Sequence, residues 1–164
     1  MKRLLVLLFL GLSVSLPSMA ASQLLTQKIL PTNLALTMLQ ASIAKAKTMK
    51  LNVSITILDN AGNLKAFARM DGAPTGSIEI SQLKASTSAK LPISSRQLAI
   101  KNAQNPNRSY NHFPFVMTLA GGLPLKTRDG AHLGGIGVSG ASADQDEAIA
   151  QAGIDAILPA LKAN

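Results

Sequence analysis

Three side chains stand closest to usable chemistry. Arg69 ends a run of strand-like residues, Asp71 follows in an Asp71-Gly72-Ala73-Pro74 turn, and Glu79 lies in the first turns of the helical segment beyond it. A guanidinium at a strand end can grip a carboxylate through two parallel N–H donors. A carboxyl such as Glu79, if buried, can ligate a metal or act as a base. The same residues also admit an architectural role, with Arg69 and Asp71 as an ion pair and Glu79 complementing the positive end of its helix. A second set is rich in glycine: Gly121-Gly122-Leu123-Pro124 and Val138-Ser139-Gly140-Ala141. Together they could aim backbone N–H groups at an anion, with the start of the last helix adding its field. Asp144, Asp146 and Glu147 at that helix start oppose an anion, and glycine serves equally well where backbones pack closely. Gly121, Gly122, Pro124, Ser139 and Gly140 are the expected rim of a ligand pocket.

The two histidines are the remaining metal-ligand candidates. His112 sits inside Tyr110-Asn111-His112-Phe113-Pro114-Phe115, the one aromatic cluster. An imidazole between flat apolar rings suits an axial haem ligand; the alternative is a solvated His112 on a loop pinned by Phe113 and Phe115. His132 falls within a strand. Other chemistries are excluded by what is missing. With no cysteine there is no thiolate nucleophile or thiolate metal site, and two isolated histidines give no zinc spacing. No Gly-x-Ser-x-Gly elbow stands with a credible Asp and His. Gly135-Ile136-Gly137-Val138-Ser139-Gly140 lacks the G-x-G-x-x-G spacing and follows a hairpin instead of opening a βαβ unit.

The elements that must position these residues read in the order α-β-β-α-α-β-β-β-α. An extended arm or short strand, Ala21 to Leu30, precedes a helix from about Thr32 to Lys50. Leu51 to Leu58 alternates, with Leu51, Val53, Ile55 and Ile57 on one face and Asn52, Ser54 and Thr56 on the other. Asp59-Asn60-Ala61-Gly62 turns it into a second strand, Asn63 to Met70. Helices follow over Thr75 to Leu91 and Ser94 to Ala103, separated by Pro92. Asn102 to Arg108 is a surface loop. Strands are expected at Phe115 to Leu119, Leu123 to Thr127 and His132 to Val138. Ser142 with Gln145 forms a capping-box pattern at the last helix, and Pro159 should fray or end it. Hairpins and segregated helices argue for an antiparallel sheet with helices packed on it.

The chain has 164 residues and a formal charge of +8, of which Lys2 and Arg3 supply two. Lys2-Arg3, an apolar run from Leu4 to Leu16 and the small residues Ser18 and Ala20 match a secretory signal peptide over residues 1–20. The apolar run falls short of the roughly 20 residues of a membrane span, and without cysteine no lipoprotein anchor is available. The expected location is therefore the periplasm or the exterior, with residues 21–164 as a single domain stabilised by packing and not by disulfides. The positive balance favours acidic ligands or anionic surfaces in general. Nucleic acid is a poor partner, because the basic residues are scattered and only Phe67, Tyr110, Phe113 and Phe115 could stack on bases.

Five pieces, in order and in fitting structural contexts, resemble the GlcG/HbpS-like family of haem-binding or haem-degrading proteins. They are Val53-Ser54-Ile55-Thr56-Ile57-Leu58-Asp59-Asn60-Ala61-Gly62; Arg69-Met70-Asp71-Gly72-Ala73; Ser77-Ile78-Glu79-Ile80-Ser81 with Lys84-Ala85; Gly121-Gly122-Leu123-Pro124; and Gly135 to Ala141 through Asp146-Glu147. The resemblance spans about Leu24 to Leu158. It implies a profilin-like α/β (α+β) fold with a five-stranded antiparallel sheet flanked by helices, and a homo-oligomer. It implies a binding protein for haem or a similar small anionic ligand, which the signal-like segment would export. The pocket would lie between the sheet end and the Glu79 helix, with Arg69 on a propionate and Glu79, His112 or His132 as iron ligand. His112 and His132 both depart from the family pattern. Two other functions fit the resemblance: an enzyme acting on haem or a small oxygenated carboxylic acid, and an oligomeric accessory protein without a ligand.

Overall fold

Val53, Ile55 and Ile57 alternate with Ser54 and Thr56, and in the folded chain both sets are fully buried. A sheet whose two faces are both covered explains this. The structure, a computed structural model, describes residues 27–161; the signal-peptide segment 1–20 and the start of the expected N-terminal arm lie outside the described residues. The elements are α1 (Thr32–Thr48), β1 (Ser54–Asp59), β2 (Leu64–Arg69), α2 (Ser77–Lys90), α3 (Ser95–Gln104), a 3-10 turn (Ser109–His112), β3 (Gly122–Lys126), β4 (His132–Ser139) and α4 (Ala143–Ile157), closed by a 3-10 turn at Leu158–Ala160. The strands form one antiparallel sheet in the order β2-β1-β4-β3.

One face of the sheet is oily. Val53, Ile55, Ile57, Leu125, Ile136 and Val138 pack against Met38 and Leu39 of α1 and Ile149, Ile154 and Ile157 of α4. The other face is built from small residues and is covered mainly by α2, with Ser95 of α3 reaching Gly122 at the β3 edge. Along α2, Ser77, Ser81, Ala85 and Ala89 recur every fourth position and so form one stripe. Ser77 Oγ hydrogen-bonds Ser54 Oγ at 2.8 Å and Ser81 Oγ hydrogen-bonds Thr56 Oγ1 at 2.9 Å. The helix backbone lies on Gly135 and Gly137 of β4: a Cβ at residue 137 would stand 2.2 Å from the Ser81 carbonyl oxygen. This approach fixes which residues of α2 remain on its outer side.

The expectation of five strands is corrected to four among the described residues. Phe115 to Leu119 is irregular and not a strand. Its Met117 N–H donates to Thr87 Oγ1 at 2.7 Å, so the segment is tied to α2 and not to a sheet edge. The capping box at α4 is present, with Ser142 and Gln145 bonding each other's backbone N–H groups. Among the described residues no helix is long and apolar enough to cross a membrane.

Candidate functional site

The inward stripe of α2 leaves Glu79, Gln82, Leu83 and Ser86 on the opposite side of the helix. They line an open cavity of about 410 Å³ together with Leu58, Gly62, Leu64, Pro114 and Phe115. Three elements meet there. The β1–β2 hairpin supplies Leu58 and Leu64, which face each other across the ladder at a bulge. Its turn is held by Asp59, whose Oδ1 accepts from the N–H groups of Ala61 (3.0 Å) and Asn63 (2.8 Å). The loop after the 3-10 turn supplies Pro114 and Phe115, and the rings of the turn and loop meet in tilted contacts, Tyr110 to Phe113 at 6.4 Å and Phe113 to Phe115 at 5.7 Å between centroids. The cavity therefore has apolar walls with the Glu79 carboxyl, the Gln82 amide and the Ser86 hydroxyl along one side. That composition suits a flat, largely apolar ligand with a few polar contacts.

Of the residues expected at a site, Glu79 lines this cavity. His112 is exposed on the 3-10 turn, two residues before Pro114. Arg69 lies elsewhere: its Nε and Nη2 donate to the Ala73 carbonyl at 3.1 and 2.6 Å, bracing the turn that contains Asp71. Asp71 is exposed. His132 is half-buried beneath the C-terminal end of α2, where its Nε2–H donates to the Ala89 carbonyl at 2.7 Å.

The glycine segments do come together, around a feature that composition hides. Lys84 reaches inward from α2, and its Nζ donates to Asp146 Oδ2 at 2.7 Å and to the Val138 carbonyl at 2.9 Å. Gly121, with φ +114°, leaves the space beside it: a Cβ there would lie 3.0 Å from Lys84 Nζ and 2.8 Å from Asp146 Cβ. Gly122 is buried against the Lys84 carbonyl, and its N–H donates to Ser95 Oγ at 2.9 Å. Ala141 N–H donates to Asp146 Oδ1, and Ser142 N–H to Gln145 Oε1. These donors are satisfied internally and do not face a pocket. Ser139 is buried, Gly140 packs on Asn52 and Val53, and Pro124 borders a separate groove between β3 and α4. Burial pushes the Asp146 carboxyl up from its ordinary 3.8, against the pull of Lys84 and the Ala141 N–H. Asp144 and Glu147 are not free dipole complements either, since both hydrogen-bond the Arg96 guanidinium, Glu147 at 3.0 Å.

A family model described as haem degrading protein HbpS-like matches residues 30–155. GlcG of Escherichia coli K12 is 32% identical over 114 residues, covering 70% of this chain and 84% of GlcG. The crystal structure of an HbpS double mutant from Streptomyces reticuli, in which two glutamates are replaced by aspartate, matches with a TM-score of 0.76. Its identity is 30%, over 87% of this chain and 97% of that one. A PduOC:haem complex matches with a TM-score of 0.70 at 29% identity, over 79% of this chain and 96% of that one. Against the corrinoid adenosyltransferase PduO of Citrobacter freundii the identity is 32% over 123 residues, and the chain spans only 36% of that protein. Sequence, helix–sheet arrangement and relatives agree, and the chain belongs to the HbpS-like family.

Proposed function

We propose that this is an exported binding protein for haem or a closely similar flat anionic ligand, held in the cavity on the outer side of α2. The observation that carries the reading is the cavity itself: apolar walls from Leu58, Leu64, Leu83 and Phe115, with one carboxyl, the solvent-exposed Glu79, on its rim. The likeness to a PduOC:haem complex supports haem as the ligand class. The donor set suits it in two respects. Phe115 and the leucines would cover the faces of a porphyrin, and Glu79, or His112 from the adjoining turn, is available as an iron ligand. His132 is a weaker candidate, because its Nε2–H is committed to Ala89. Haem, when bound, would supply the redox chemistry; the chain's own groups hold, orient and shield it.

Export rests on the signal-like segment of residues 1–20, and the expected location is the periplasm or exterior. Self-association is proposed with it, supported by Ile29, Leu36, Ile100 and Leu119, which are about half exposed or more. The family description favours a second reading, haem turnover, in which Glu79 would act as a base or metal ligand.

Titration with haemin, followed by Soret absorbance, separates these readings. Binding predicts a saturable shift, with Glu79→Gln and His112→Ala identifying the iron ligand by the variant that alters the band. A featureless rise without saturation overturns it. Loss of the Soret band with a reductant, and new linear-tetrapyrrole absorbance, would establish turnover.

A further inference from the structure

The outer stripe of α2 does not end at Ser86. Glu79, Gln82, Ser86 and Lys90 follow spacings of three, four and four residues, which keep them on one side of the helix. Eleven residues separate Glu79 from Lys90, a distance of ~16 Å along the axis. The Lys90 side chain runs against two residues that wall the cavity. Its stem crosses Gly62, where a Cβ would stand 2.6 Å from Lys90 Cε, and its Nζ sits 5.0 Å from the centre of the Phe115 ring. Gly62 and Phe115 are both cavity walls. Gly62 has φ +86°, so the turn demands a residue tolerant of that conformation and at the same time leaves room for the lysine stem.

Lys90 makes no ion pair among the described residues. A lysine that served only to complement the helix C-terminus would have no need to reach across Gly62 to an aromatic ring. The cavity thus has a carboxyl, Glu79, among its lining residues and a cation, the exposed Lys90, against two of its other walls, Gly62 and Phe115. An amphipathic ligand with its acid groups on one edge has one favourable direction there.

We infer that Lys90 sets the orientation of the ligand in the α2 cavity, receiving its carboxylate edge beside Gly62 and Phe115 and leaving Glu79 to the rest of the ring. The inference rests on the cavity reading above. A charge-assisted hydrogen bond from the ammonium to a propionate-type carboxylate is the chemistry involved.

The test compares haemin with haemin dimethyl ester, which keeps the ring and iron and loses both carboxylates. In the full chain, Lys90→Gln is expected to weaken haemin binding about tenfold and to leave binding of the ester within about twofold. Lys90→Arg should keep most of the haemin affinity. Equal losses for both compounds, or no loss for haemin, overturn the inference while leaving the cavity reading in place. Failure of the unaltered protein to bind either compound saturably overturns the cavity reading and this inference with it.

Discussion

Lys84 and Asp146, 62 residues apart in the chain, meet at 2.7 Å with each side chain only 3% exposed. The pair joins α2, on the small-residue face of the sheet, to the first turn of α4, and the Val138 carbonyl and Ala141 N–H complete its hydrogen bonds. Two of the glycines that looked like an anion nest, Gly121 and Gly122, pack directly against Lys84. The cavity lined by Glu79 lies on the other side of α2.

Breaking this pair should leave a buried charge without a partner. Lys84→Met is expected to destabilise the protein by about 3–5 kcal/mol, and Lys84→Met with Asp146→Leu to recover part of that loss. Urea denaturation measures both. A single variant within about 1 kcal/mol of the parent would show that the pair is not held dry.

The glycines of β4 make a second claim about packing. Gly137→Ala places a Cβ 2.2 Å from the Ser81 carbonyl oxygen and 2.4 Å from the Ala85 nitrogen, both backbone atoms of α2. The helix must lift, at a cost of roughly 3 kcal/mol. Gly76→Ala, with no atom within 4 Å of the new Cβ and φ −64°, is the control and should be near neutral. Equal melting temperatures for the two variants would contradict the close approach.

Much of this layout was legible from local patterns. The β1–β2 hairpin, the glycine-dense β4 and the capping box at Ser142 follow from alternation, turn residues and spacing. Glu79, expected at a site because it falls early in a helix after a strand-end turn, lines the α2 cavity. The buried face of Ser54 and Thr56 was harder, since polar side chains at alternate strand positions normally signal solvent. The signal that reveals it is the stripe Ser77, Ser81, Ala85, Ala89, a helix face with nothing large to bury. Lys84 was hidden for the same reason: one lysine between serines and alanines reads as a solvated face. Phe115 to Leu119 has a strand's composition, but a side chain distant in sequence, Thr87, takes its N–H group. Leu64, Gln82 and Ser86 carry no local mark and became cavity residues only through the meeting of hairpin and helix.

Asp59 gives a pH-dependent expectation at the cavity's edge. Burial pushes its carboxyl up, but the Asn63 backbone N–H, the Asn63 amide, the Ala61 N–H and nearby Lys65 outweigh it and hold the group below its ordinary 3.8. A carboxyl lowered in the folded state contributes stability above its unfolded value and loses it as pH falls through the folded one. Asp59→Ala should therefore lower the melting temperature at neutral pH, by about 1 kcal/mol of stability. The deficit should shrink steadily as the pH drops below 3.8. Thermal melts of both proteins across acid pH check this, and a deficit that grows toward acid would contradict it.

Arg69 separates support from binding. With two donors on the Ala73 carbonyl, it holds the turn leading into α2 and does not line the cavity. Arg69→Ala is expected to reduce stability by about 1 kcal/mol and leave haemin affinity within about twofold. Calorimetry and a binding titration on the same variant decide it; a large loss of affinity with an unchanged melt would assign Arg69 to the ligand.

The most direct measurement is an equilibrium haemin titration of the unaltered protein beside Ser86→Trp, a substitution that fills the cavity from α2 without touching the buried stripe or the Lys84–Asp146 pair. Saturation at about one haemin per chain, weakened at least about tenfold in Ser86→Trp with an unchanged melting temperature, is the expected result. Saturable binding that Ser86→Trp leaves untouched would place the ligand elsewhere on the molecule, and a rise without saturation would remove haem from its function.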